Sequence, residues 1–161
     1  REKIKCISNL KEAQKQSKKY GIITAFHVVE HLKNPKEILK DLSQLLTENG
    51  EMIVDVPNSD DALLTLYESN DFQNFTYWSQ HLFLFNEKTM TELIKQAGLK
   101  FNWIKYVQRY PLSNHLYWLA KGKPGGHQVF GCLNNDKLDQ EYEHQLAAIS
   151  KTDTIIVGIS K

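Results

Sequence analysis

The stretch from Tyr20 to Asn58 constrains the fold more than any other part of the chain. Ile22-Ile23-Thr24-Ala25-Phe26 is apolar and β-branched without alternation, the pattern of a strand buried on both faces, as in a parallel sheet. A helix with marked ends follows. Asn34 is placed as N-cap, Pro35 takes the first helical position, and Glu37 stands where a capping box puts its acid. Ile38, Leu42, Leu45 and Leu46 form one apolar face, and Asn49-Gly50 supplies the stop. Residues 51–56 (EMIVDV) then read as a second strand, ended by Pro57-Asn58. Strands joined through a helix pair in parallel, so the chain is expected to build an open α/β sheet.

Lys3-Ile4-Lys5-Cys6-Ile7 alternates like a short strand, and Ser8 and Asn9 can cap a helix running through Leu10 and Ala13 towards Tyr20, with Gly21 ending it. Residues 59–85 break the rhythm with Phe72, Phe75, Tyr77 and Trp78 in close succession. They suit a small subdomain packed on the sheet or a lid over a pocket, and the two readings are compatible. Asn86 then caps a helix with Met90, Leu93, Ile94 and Ala97 on one face and Gly98 at its close. Residues 101–107 read as a strand and 108–128 as a long excursion. Residues 136–149 read as a helix with Leu138, Tyr142, Leu146 and Ile149 on one face, and 154–159 as a terminal strand. The expected organisation is one domain over 1–161: a sheet core (1–58), an aromatic lid-like insertion (59–85), and C-terminal helices and strands (86–161).

Charge and cysteine content narrow the partners. Twenty basic against nineteen acidic residues leave a net charge of +1, without the basic excess of a nucleic-acid footprint. Lys11, Lys15, Lys18 and Lys19 cluster at helical spacing and read as a solvated face. Cys6 and Cys132 stand far apart with no C-x-x-C companion, which excludes a zinc ribbon and makes a reducing cytoplasm the expected setting. No apolar run approaches the roughly 20 residues that span a bilayer. A first residue Arg1 directly before a strand-like segment is expected of a piece of something longer.

His27-Val28-Val29-Glu30-His31 spells the H-x-x-E-H of inverted zinc proteases. That motif needs a continuous helix, so that both histidines converge on the metal. Here it follows a buried strand, and the next helix opens only at Pro35. Its position is instead that of a ligand-binding crevice, outside the carboxyl ends of the strands of an open α/β sheet. Phe26, His27 and Glu30 fall at one such end, Pro57 and Asn58 at another, Ser8 and Asn9 at a third.

The segment "YGIITAFHVVEHLKNPKEILKDLSQLLTENGEMIVDVPN" resembles the second half of class I S-adenosylmethionine-dependent methyltransferases, in which an E-H-hydrophobe-x-x-P signature follows the fourth strand. "HLFLFNEKTMTELIKQAGLK" is similar to a later segment of that family. "RYPLSNHLYWLAKGKPGGH" is similar to a stretch in a branch associated with bacterial surface-polysaccharide gene sets.

The resemblance implies a partial Rossmann-like sheet, mostly parallel with an antiparallel last strand, helices on both faces, and S-adenosyl-L-methionine as cofactor. It places Ser8, Asn9 and Leu10 beside the adenine, and Ala25, Phe26 and His27 near the methionine part. It makes His81 the first candidate for a general base and His27 the second. Methyl transfer to a small-molecule or sugar-type acceptor is the activity it implies. Some relatives hold a divalent ion after this strand, which makes His27, Glu30 and His31 the minor metal candidates.

The family's glycine-rich turn and ribose-binding acid would precede residue 1. Gly122, Gly125 and Gly126 lie in the late excursion and cannot replace that turn. In the family's strand order 3-2-1-4-5-7-6, the strand at 22–26 then becomes an exposed apolar edge. Weak or absent cofactor binding is expected of this chain, with a dimer through that edge or a relocation of residues 3–7. The alternative is a binding or scaffold protein derived from a methyltransferase and without catalysis.

Overall fold

The computed structural model describes residues 6–161, built around one four-stranded sheet. Its strands are β1 (Tyr20–Phe26), β2 (Leu46–Pro57), β3 (Lys100–Val107) and β4 (Thr154–Ser160), in the spatial order β1-β2-β4-β3. β1 and β2 pair in parallel; β4 runs antiparallel to both β2 and β3. This is the 4-5-7-6 portion of the expected order, with the last strand reversed. The expected strand over residues 3–7 falls largely outside the described residues, and Cys6 and Ile7 are in no strand.

Helix boundaries depart from expectation where backbone pairing overrides local signals. α1 (Leu10–Lys15) is shorter than expected, because Tyr20 and Gly21 already belong to β1 and the Tyr20 N–H donates to the Leu45 carbonyl at 2.8 Å. α2 (Pro35–Gln44) starts at the expected proline, yet Asn34 makes no side-chain cap, so the capping box is not formed. It also ends early. Leu46 is buried in β2, and Asn49-Gly50 is an irregularity within that strand: Tyr20 faces Leu46 while Ile22 faces Glu51.

The insertion folds into α3 (Ala62–Thr65) and α4 (Asn70–Thr76). α5 (Glu87–Gln96) carries a complete capping box between Asn86 and Thr89, and it buries Met90 and Ile94 as expected. The expected excursion holds α6 (Leu112–Lys121), which begins after Pro111 and ends at Gly122. Gly122 has a φ of 62°, and a side chain there would overlap Asp71 of α4. α7 (Gly126–Val129) and α8 (Asp136–Ala148) follow. Of the face expected on α8, Leu146 is buried while Leu138 and Ile149 are exposed, because that helix seats on its neighbours through only part of one side.

The main core joins Met52, Val54 and Val56 of β2 and Ile155, Val157 and Ile159 of β4 to Val29, Leu39, Met90 and Ile94. Among the described residues β1 is an edge strand: Ala25 is buried, but Ile22 is 65% and Phe26 55% exposed. The two-sided burial expected of β1 is therefore absent, and the exposed apolar edge is present. No helix among the described residues is long and apolar enough to cross a membrane.

Candidate functional site

A cavity of ≈ 220 Å³ opens where the carboxyl ends of β1 and β2 meet the start of β4. His27, Pro57, Asn58, Asp153 and Thr154 lie at the strand-end side; Leu63 and Leu64 of α3, Phe72, Phe75 and Thr76 of α4, and Asn114, His115 and Trp118 of α6 form walls. Phe72, Phe75 and Trp118 pack on one another with ring centroids 5.1 to 6.2 Å apart. Sheet geometry puts this cavity at the crevice expected for a ligand.

His27 leaves β1 with a φ of 50°, its N–H bonded to the Asp55 carbonyl at 3.0 Å. Its Nδ1 lies 3.1 Å from Glu30 Oε1 and its Nε2 3.1 Å from Asp55 Oδ1, and the Arg109 guanidinium lies against the same Nε2. Both ring nitrogens are thus engaged. The zinc-protease geometry is not formed, because Val29–His31 is a single 3₁₀ turn.

Glu30 is fully buried, its Oε2 without a hydrogen-bond partner among the described residues. His31 Nδ1 binds the Gln80 carbonyl at 2.7 Å, and His81 Nδ1 binds the Thr76 carbonyl at 2.9 Å. Glu30, His31 and His81 can each bring one ligand atom within 4.8 Å of the other two. His81 therefore replaces His27 in the cluster. Carbonyl-held Nδ1–H groups leave both Nε2 atoms with lone pairs, that of His31 3.7 Å from Glu30 Oε1, the arrangement of metal-binding histidines.

Asp61 caps α3, its Oδ1 accepting the Leu63 N–H at 2.7 Å. Burial raises its pKa from 3.8 to about 7, against the lowering effect of that hydrogen bond and with a smaller push from Asp153. Asp153, also raised by burial, is held by the N–H groups of Arg109 and Tyr110 at 3.0 and 3.1 Å, fixing the chain that enters α6. His115 is buried, which lowers its pKa to about 4; its Nδ1 lies 2.8 Å from the Tyr142 hydroxyl. Burial likewise raises Tyr142, whose hydroxyl also meets that of Tyr67 at 3.0 Å.

The structure brings His27 and His81 to one cavity. Asn9 and Leu10 lie elsewhere, in a groove between α1, β1 and α2 with Tyr20, Ile22 and Leu42; Ser8 binds Glu12 at the start of α1. Sequence reasoning missed Asp61, Arg109, Asn114, His115 and His127. For Asn114, His115 and Trp118 a signal existed: Pro111 and Gly122 bracket a ten-residue helix.

A family model described as a methyltransferase domain matches residues 4–102. No curated protein matches. Among solved structures, a SAM-dependent methyltransferase from Thermotoga maritima is 18% identical with a TM-score of 0.51, over 89% of this chain and 56% of that one. A SAM-dependent methyltransferase from Archaeoglobus fulgidus is 17% identical with a TM-score of 0.50, over 96% and 66%. The plantazolicin methyltransferase BamL, solved with a triazolic desmethylPZN analogue and SAH, is 16% identical with a TM-score of 0.50, over 94% and 57%. The chain thus spans about 56 to 66% of the length of these structures. At such identities the likeness concerns the fold; the matched family model covers well over half of the sequence, and the chain belongs to the methyltransferase-domain family.

Proposed function

We propose that this chain is the acceptor-binding, C-terminal part of an enzyme that transfers a methyl group to a small-molecule or sugar-type acceptor. The observation that carries this reading is the aromatic-walled cavity at the carboxyl ends of β1 and β2. S-adenosyl-L-methionine is the cofactor of the family. Fit can be judged at β1: the exposed Phe26 makes an apolar ledge beside the polar His27, suited to the methionine part. When bound, the cofactor supplies an electrophilic methyl group.

The residues of this chain position the acceptor, exclude water with the aromatic wall, and take a proton where the nucleophile is a hydroxyl. His81 is the better base of the two candidates, because its Nε2 accepts no hydrogen bond among the described residues whereas both nitrogens of His27 are engaged. Residues 59–85 form the lid over this acceptor. Titration of S-adenosylmethionine into the full-length protein, followed by transfer of a labelled methyl group, tests the reading. Binding is expected only for the full-length form; micromolar binding by the 161 residues alone, or none by either, would contradict it.

The orphaned Glu30 Oε2 favours a second reading of the same site, with a divalent ion held by Glu30, His31 and His81. One carboxylate with two imidazoles suits a borderline transition metal better than magnesium. His81 would then be a ligand, and the ion would hold the acceptor oxygen.

A further inference from the structure

The cavity holds unmatched polar groups of both kinds. Asp61 is 3% exposed; Leu63 is served by its Oδ1, and its Oδ2 accepts no hydrogen bond among the described residues. Asn114 is 4% exposed; its Oδ1 accepts the Gly126 N–H at 3.2 Å, while its Nδ2 donates to no protein atom among the described residues. His127 Nδ1 is buried without a partner among the described residues. All three residues line the same cavity as the packed rings of Phe72 and Trp118. Buried polar groups left open towards a cavity lose hydrogen bonds unless a ligand restores them.

The mixture discriminates between ligand classes. An ammonium group only donates and calls for acceptors alone; a phosphate or carboxylate mainly accepts and calls for donors. A hydroxyl does both, and several hydroxyls on one ring match a carboxylate, an amide N–H and an imidazole together. The apolar face of such a ring suits an aromatic wall. The cavity of ≈ 220 Å³ has room for one ring.

Building on the acceptor cavity proposed above, we propose that Asp61 Oδ2, Asn114 Nδ2 and His127 Nδ1 determine its specificity, by taking the hydroxyls of one neutral polyhydroxylated ring laid against Phe72 and Trp118. Asp61→Asn is the informative variant. Asparagine caps a helix as well as aspartate does, so the Leu63 bond is kept, and in an assay at pH 8, above the carboxyl's raised pKa of about 7, the open acceptor becomes a donor.

Saturation-transfer NMR on the 161-residue protein, without cofactor, uses the methyl glycosides of glucose, galactose and rhamnose, with tetramethylammonium and inorganic phosphate as controls. At least one glycoside is expected to bind, and D61N is expected to weaken it at least tenfold while circular dichroism shows a folded protein. Asn114→Ala is expected to weaken it as well. Equal binding by wild type and D61N, binding of a control alone, or no glycoside binding at all would overturn the proposal. The readout needs no cofactor, so failure of the full-length protein to bind S-adenosylmethionine would count against the transfer reaction and leave this result standing.

Discussion

Replacing Asp61 by asparagine is expected to stabilise the protein, and increasingly so as pH rises. Burial lifts this carboxyl from 3.8 to about 7, so between those values the folded chain keeps a proton that the unfolded chain has released. Stability must then fall as pH rises through that window and level off above it. At about 1.36 kcal/mol for each tenfold change in proton affinity, the full cost of ionising Asp61 in place is about 4 kcal/mol. His115 works in the opposite sense. Its pKa is lowered from 6.5 to about 4, so the unfolded chain takes up a proton that the folded one refuses, and stability rises with pH over that range by about 3 kcal/mol.

The two effects offset each other in the wild type, which is why a comparison of variants is needed. Asp61→Asn removes only the first and keeps the cap on Leu63. Urea titrations of both proteins, followed by far-ultraviolet circular dichroism at pH 5 and pH 8, give the difference directly. The stability advantage of D61N should grow by about 3 kcal/mol between those two values. An advantage that stays the same at both pH values would refute the argument. A buried carboxylate kept at such expense is more characteristic of a functional group than of a structural one.

Other substitutions test separate links. Asn58→Ala removes amide bonds to the Ser150 and Thr152 carbonyls at 3.1 and 2.8 Å and should cost about 2 to 3 kcal/mol in urea unfolding. Met90→Ala empties a fully buried core position and should cost roughly 2 to 5 kcal/mol by the same measurement. Calorimetric titration with Zn²⁺ should show one site that His81→Gln weakens at least tenfold, by about 1.4 kcal/mol or more; unchanged affinity would remove the ion from this cluster. Light scattering should show self-association of the isolated chain through the β1 edge, and Ile22→Lys should abolish it, since Ile22 is 65% exposed there.

What the sequence made legible follows the range of the forces involved. The β1-α2-β2 unit could be read because its signals are local: a β-branched run, then a proline at the first helical position. The register of β2 could not be read. Leu46 looked helical by spacing, but pairing with Tyr20 draws it into the sheet, and only the finished structure contains that partner. The site divides in the same way. His27 was legible because a strand end is a predictable place, and His81 because its segment carries a family pattern. Asp61 comes from the insertion and Asn114 and His127 from the later excursion, and they meet only once α3, α6 and α7 have packed.

His81 shows why residue identity alone assigns no role. The sequence marks it as a base; the structure sets it 5.1 Å, ring to ring, from His31 and within ligand distance of Glu30. A base and a ligand both need a free Nε2, and both are served by an Nδ1–H fixed on a carbonyl, here that of Thr76 at 2.9 Å. The distinction lies in Glu30. A general base needs no buried carboxylate oxygen beside it that lacks a partner among the described residues, whereas a bound cation does. A cation at that point accounts for the orphaned oxygen and for both orientated histidines together, which is why zinc titration of the His81→Gln variant decides between the two roles.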